Sequence, residues 1–306
     1  MKRTRTLAGE PICRSLLQKA VRRGAVDIAE KAAIHLIQKG EITWLKNRLG
    51  VIAFEESWTY IKKLQFTTNE NLLVKQYKDL ARLSKNKNAA GLGSLAYELS
   101  KGSMGILLED PPTNRHIKII AEAIKRPDDF WRWAKQLKSD RAGLDFLEKT
   151  ELGFRLAGWP WDKAFALASA YLFLSDDFPE TTSPSSPEPI DFPFWVAIDK
   201  HTPTGKRALL KCSEKFNIDK KTIGWIQFYL ESAKCNNLQP SPWWEKEKAW
   251  RLNAEGVGGG KAEIIWRDIS SFLHETLTTQ EQTIKNDIDH SFNLYRSTLK
   301  NQDSLI

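Results

Sequence analysis

Apolar residues recur at intervals of three and four along the first half of the chain. Stripes of this kind begin at Ile12, Val26 and Leu45, and glycines interrupt the pattern at Gly24 and Gly40. This period places apolar side chains on one face of an α-helix, and glycine is favoured just past a helix end. The pattern predicts short amphipathic helices joined by tight turns.

The same period continues along most of the chain. It predicts helices over 70–84, 89–101, 113–125, 128–138, 141–148 and 161–174, and a polar helix over about 279–299 near the carboxyl end. Alternating strand patterns are nearly absent. The one apolar run that could form a strand, "FWVAID" over 194–199, could equally be the first turn of a buried helix. We therefore predict an all-α fold.

One segment differs from the rest in composition. Residues 175–193, "SDDFPETTSPSSPEPIDFP", hold five prolines, five acidic residues and no basic residue. Proline disfavours helix, and the polar residues give the segment little to bury. The composition predicts an exposed linker or long loop over 176–193, between a helical domain over 1–175 and a second, mostly helical domain over 194–306.

Bulk composition is that of a globular protein. Of 306 residues 41% are hydrophobic and 27% charged, and no apolar run is long enough to span a membrane. Cys13, Cys212 and Cys235 are far apart and form no CxxC pair, which favours reduced thiols in a cytoplasmic protein over a zinc site or a disulfide framework. The net charge of +8 favours an anionic partner.

Positive charge is concentrated near the amino end. Residues 1–50 hold eleven basic and four acidic residues, so they account for most of the net positive charge of +8. Lys19, Arg22 and Arg23 are spaced three and four apart, so we expect one solvent-facing strip that contacts DNA phosphates. The predicted contact residues are Arg14, Lys19, Arg22, Arg23, Lys46 and Arg48. Charge reversal at Arg22 and Arg23 should then abolish binding without unfolding. The alternative is a solvated helix face that only maintains solubility.

A second polar cluster occurs in "IDKHTPTGKR", residues 198–207. Asp199 and Thr202 suit the N-cap of a helix, and Pro203 suits its first turn. The segment is therefore interpreted either as a simple turn into a helix or as an anion site at a helix N-terminus. In the second interpretation the anion is held by Lys200, His201, Thr202, Lys206 and Arg207.

Catalytic and metal-binding motifs are not recognisable. "EGVGGGKAE", residues 255–263, comes closest to a phosphate loop, but Glu255 replaces its first glycine and Ala262 its hydroxyl residue. We expect no enzymatic activity, metal or cofactor. The alternative is an enzyme centred on Asp199, His201 and Lys206. Aromatic residues interleaved with basic ones in 128–138 and 242–251 could stack on unpaired bases, although tryptophan at helical spacing is also typical of a core.

Residues 15–58, "SLLQKAVRRGAVDIAEKAAIHLIQKGEITWLKNRLGVIAFEESW", carry a resemblance to a known family. The shared pattern is Leu17-Gln18-Lys19, Arg23-Gly24, Gly40-Glu41, Arg48-Leu49, Ala53 and Glu55. This pattern resembles the helical C-terminal region of clamp-loader-like AAA+ ATPases of the RarA/MgsA group. That family continues with Asp-x-Gly, where this chain has Glu56-Ser57-Trp58.

The resemblance implies a collar-like helical module without an ATPase core, because no Walker A, Walker B or arginine finger is recognisable. It implies homo-oligomerisation, work on DNA in replication or repair, and a replication or repair ATPase as a partner. The leading hypothesis is a non-enzymatic, DNA-binding accessory protein of replication or repair. The alternative is a helical scaffold for protein interaction or oligomerisation that does not bind nucleic acid.

Overall fold

The computed structural model describes residues 9–103, 105, 111–175, 200–278 and 281–303. These residues form fourteen α-helices, a 3₁₀ segment at Trp58–Lys63 and a π-helical turn at Phe228–Ser232, and they contain no strand. Two isolated bridges, Ser57 with Asn86 and Lys85 with Leu238, are the only β pairing in the described residues. The all-α prediction is confirmed.

The helix bounds follow the predicted segments closely. The helices are α1 (Gly9–Arg23), α2 (Val26–Gln38), α3 (Ile42–Glu56), α4 (Glu70–Arg82), α5 (Asn88–Ser100), α6 (Pro111–Lys125), α7 (Pro127–Gln136), α8 (Arg141–Leu156), α9 (Pro160–Leu174), α10 (Pro203–Phe216), α11 (Lys220–Gln227), α12 (Pro242–Ala254), α13 (Lys261–Thr278) and α14 (Glu281–Asp303). No described helix is both long and apolar enough to cross a membrane. The predicted linker, 176–193, and the run 194–199 lie outside the described residues.

Helix α8 is two turns longer than its sequence pattern predicts. The apolar period fades after residue 148, yet Thr150 and Gly153 are buried inside the helix. Thr150 Oγ1 donates to the carbonyl of Phe146 at 2.6 Å, which satisfies its hydroxyl in the interior. A Cβ on Gly153 would lie 2.5 Å from the ring of Phe54, so α3 packs directly on the α8 backbone. Tertiary packing therefore extends this helix.

Helix α5 lies between α9 and α12 at unusually close range. A Cβ on Gly91 would lie 2.3 Å from the backbone of Trp243, and one on Gly93 would lie 2.8 Å from the carbonyl oxygen of Ala164. Because glycine lacks a Cβ, both neighbouring backbones can approach α5 directly. This small-residue helix holds α9 and α12 in fixed positions around the site described below.

One buried cluster includes residues from both sides of the undescribed segment 176–199. Leu16 and Tyr77 belong to it, and so do Cys212 and Ile288. Lys31 Nζ lies 2.6 Å from Asp289 Oδ1, so α2 and α14 are joined by an ion pair. The two parts that the sequence divides therefore pack against each other, and their division into two domains stays a prediction.

Candidate binding cavity

The predicted strip on α1 does not face solvent. Lys19, Arg22 and Arg23 retain only 2%, 3% and 4% of their accessible surface. Their spacing does place them along one side of α1, but that side is covered by α3 and by the π-helical turn Phe228–Ser232. The expectation of an exposed strip is therefore wrong for these three residues. The acidic partners of Arg22 and Arg23, 33 to 208 residues away in the chain, could not be recognised from local spacing.

Arg22 is the centre of a buried ionic network. Its Nε lies 2.6 Å from Glu56 Oε1, its Nη2 lies 2.7 Å from Glu55 Oε1, and its Nη1 donates to the carbonyl of Ser232. Lys87 Nζ lies 3.2 Å from Glu56 Oε2. Burial alone raises the pKa of Glu55, but the nearby cations, Arg22 foremost, hold it below its ordinary value. The pair of Arg22 and Glu55 thus stays ionised, and the network joins α1 to α3 and to the π-helical turn.

Three other residues that were predicted to contact DNA differ from Arg22 in their surroundings. Arg23 Nη2 donates to the carbonyl of Glu231 at 2.9 Å and pairs with its carboxylate. Lys19 Nζ donates to Ser15 Oγ at 2.6 Å. Lys46 is half-buried and lies apart from the cavity described next. Lys19 and Arg23 are therefore not part of an open surface of α1, and Lys46 lies on α3.

A cavity of about 500 Å³ lies among α1, α3, α5, α9, α10, α11 and α12. Its lining brings together members of both predicted sets. From the first set come Arg14, Lys19, Arg22 and Arg48, and from the second come Lys200, His201, Thr202 and Lys206. Arg23, Lys46 and Arg207 are not part of the lining. Two basic segments more than 150 residues apart in sequence thus share one site.

The start of α10 forms one edge of this cavity. Thr202 is buried, and its Oγ1 accepts the backbone N–H of Gly205 at 3.0 Å, so the predicted N-cap at Thr202 is confirmed. Asp199 lies outside the described residues. Lys206, in the first turn of α10, is exposed, and its ammonium has no ion pair or hydrogen bond within the described part of the chain. Its charge adds to the positive potential of the helix N-terminus.

Aromatic rings make up much of the remaining wall. Lys200 Nζ lies 3.5 Å from the ring centroid of Trp225, a cation–π contact next to the N-terminus of α10. Trp159 is 64% exposed, more than any other large apolar side chain in the described residues. The aromatic lining residues are Trp44, Trp159, Trp161, Phe165, Trp225, Phe228 and Trp244.

Three carboxylates complete the lining, against six lysine and arginine side chains. Arg48 Nη1 lies 2.7 Å from Asp162 Oδ2. Burial raises the pKa of Asp162 above its ordinary value, although Arg48 acts in the opposite direction. Burial likewise raises the pKa of Glu247. With His201 neutral, the lining carries a formal excess of three positive charges; Glu41 and Glu56 stand behind it as partners of Arg14 and Arg22.

Sequence reasoning did not single out Trp159. The local signal is the segment Gly158-Trp159-Pro160: proline favours extended backbone at the residue before it, and Trp159 has φ −108° and ψ 141°. A tryptophan held extended between two helices cannot join the apolar face of either. This combination distinguishes Trp159 from the core tryptophans, which lie within helices.

Comparisons of the chain with protein-family models, curated proteins and solved structures find no match. The resemblance of residues 15–58 to the RarA/MgsA group therefore stays a prediction. Within the described residues, no group of three or more His, Cys, Asp and Glu side chains is placed to hold a metal ion.

Proposed function

We propose that this protein binds DNA, and that the contact is made at the cavity. The observation that carries the proposal is the meeting of the two basic segments, residues 14–48 and 200–206, in one lining. The first segment was predicted to contact DNA phosphates, and an anion site was one of two interpretations of the second. Their convergence gives one concave site whose lining holds more basic than acidic side chains, which favours an anionic ligand.

The start of α10 is the part of the cavity best suited to a phosphate. The positive potential of the helix N-terminus, the exposed ammonium of Lys206 and the nearby Lys200 all favour negative charge there. The buried Arg22 has a different role, because its charge is already balanced by two carboxylates. In this proposal Arg22 shapes the wall and Lys206 contacts the DNA.

The wider role proposed is that of a non-enzymatic accessory protein of DNA replication or repair. Support for it comes from the resemblance of residues 15–58, which also supports a replication or repair ATPase as a partner and self-association. The positive charge of the chain as a whole, +8, is in keeping with a polyanionic ligand.

Charge reversal at Lys206 tests the proposal. We expect Lys206→Glu to weaken DNA binding about tenfold at low salt and to reduce the slope of log affinity against log salt by about 1. The matched control is Lys211→Glu, which makes the same charge change on the exposed side of the same helix, outside the lining. Fluorescence anisotropy of a labelled DNA over rising salt measures the affinity and its salt dependence for each variant.

Two results would reject DNA binding at the cavity. One is an equal loss in both variants, which would show a general effect of net charge. The other is no binding of any DNA by the unsubstituted protein at low salt. The helical scaffold would then be the better hypothesis, and light scattering would show whether the protein self-associates.

A further inference from the structure

We infer that the cavity accepts an unpaired nucleotide of a DNA strand, with the base against Trp159 and the phosphate at the start of α10. This inference rests on the DNA binding proposed above and specifies the form of DNA. Three features of the site carry it: a solvent-exposed indole at the rim, an unsatisfied indole N–H in the wall, and the uneven distribution of charge.

The exposed indole is that of Trp159. It lines the cavity, is 64% exposed, and makes no ring or cation–π contact with any described residue. The other lining rings already have neighbours; Trp225, for example, is covered by Lys200 and stacks with Tyr229 at an interplanar angle of 22°. An uncovered tryptophan face at the rim of a basic site is a surface on which a planar base can stack.

The unsatisfied group is Trp161 Nε1. This nitrogen is buried and has no hydrogen-bond partner among the described residues. A buried donor without an acceptor is unfavourable, so native proteins leave few of them. Trp161 lines the same cavity as Trp159, and a small shift of its enclosed indole would let a ligand oxygen, from a base carbonyl or a phosphate, accept this N–H.

Charge in the lining is suited to a nucleotide rather than to a free phosphate chain. Lys206 stands exposed at the α10 edge. On the α9 and α3 walls the carboxylates of Asp162 and Glu55 are paired with Arg48 and Arg22, so the charges there balance. A nucleotide can therefore place its phosphate at α10 and its uncharged base toward these paired groups.

The concave shape excludes a base that is still paired. A volume of about 500 Å³ is that of a small-ligand pocket, and it is bounded by helices. A base inside a duplex is stacked and paired, and it can enter such a pocket only after it has left the stack, which is energetically unfavourable. Single strands do not meet this barrier. The site should therefore prefer single-stranded to duplex DNA.

The test compares a labelled mixed-sequence 20-nucleotide strand with the blunt duplex of the same sequence, by anisotropy at one salt concentration. We expect the single strand to bind at least about tenfold more tightly. Trp159→Ala should weaken single-strand binding about 5- to 150-fold, the range that stacking on one aromatic side chain gives. Trp159→Phe should retain most of the affinity. The matched control is Trp133→Ala, since Trp133 is 42% exposed and lies outside the lining.

Two outcomes overturn the inference and leave the proposed function in place. The first is equal affinity for strand and duplex, with Lys206→Glu weakening both and Trp159→Ala weakening neither. The second is displacement of the strand by a mononucleotide that binds as tightly as the strand, which would identify a free nucleotide as the occupant. If no DNA of either form binds, the proposed function fails, and the inference fails with it.

Discussion

Replacing Arg22 with methionine should destabilise the fold strongly. The side chain is 3% exposed, and its guanidinium is balanced by Glu55 and Glu56, of which Glu56 is fully buried. Methionine keeps much of the volume but removes the charge and three donors. The two buried carboxylates would then keep Lys87 as an ion-pair partner, 3.2 Å from Glu56 and 3.8 Å from Glu55. Removing one partner of a buried ion pair costs roughly 3–5 kcal/mol.

That loss of free energy is measurable as a shift of the unfolding transition. For a chain of this size about 1 kcal/mol corresponds to a change of roughly 2–4 °C in Tm, so we expect a decrease on the order of 10 °C. Urea unfolding at pH 7, followed by tryptophan fluorescence and by far-UV circular dichroism, gives the free energy of unfolding. The control is Arg155→Met, because Arg155 is 55% exposed and pairs with acids at the surface, where ion pairs contribute little.

A double variant identifies the cause. Glu56→Gln removes one of the two buried charges, so Arg22→Met combined with Glu56→Gln should lose less stability than the sum of the two single changes. Additive losses, or an Arg22→Met variant within about 1 kcal/mol of the unsubstituted protein, would refute the claim that this network holds α1 against α3. The hypothesis from sequence was the opposite, that charge reversal at Arg22 leaves the protein folded.

Three smaller perturbations test other parts of the structure. Gly91→Ala should lower Tm, because its Cβ would meet the Trp243 backbone at 2.3 Å, whereas Gly158→Ala, with nothing within 4 Å, should not; thermal melts compare them. Thr202→Ala should cost about 1 kcal/mol of stability through loss of the N-cap, and Thr202→Ser should restore it, as urea titration would show. Burial raises the pKa of Cys13 to about 12, so pulsed alkylation at pH 8 should leave it unmodified until the chain unfolds. Since its unfolded pKa is about 8.5, this thiol contributes stability that is complete below that pH and decreases as pH rises toward 12.

The fold class follows from local sequence, but the site follows only partly. Helical periodicity is a property of neighbouring residues, so stripes such as the one that begins at Val26 predict helices correctly without any knowledge of tertiary contacts. Burial of Arg22 depends on Glu56, 34 residues later, and on Ser232, 210 residues later. No local pattern shows which distant residues will pack against a helix. A run of basic residues at i, i+3 and i+4 therefore looks the same in sequence whether it faces solvent or buried acidic residues.

For the cavity too, local sequence predicts single features but not how they come together. Thr202 was predicted as a cap from residues 199–203 alone, and the N-cap at Thr202 is present. That Lys206 and Arg48 line one cavity depends on how α10 is placed relative to α3, which no spacing encodes. Trp159 was missed because tryptophan count alone favours a core, and only its place before Pro160 marks it as different.

The buried cluster shared across the undescribed segment has a consequence for dissection of the chain. A fragment ending at residue 175 and a fragment starting at residue 200 would each expose one side of that cluster, because Leu16 and Tyr77 lie in the first and Cys212 and Ile288 in the second. Co-expressed, the two polypeptides should reassemble as a split protein, and either one produced alone should aggregate. Since α1 and α10 come from different fragments, ligand affinity should return only upon complementation.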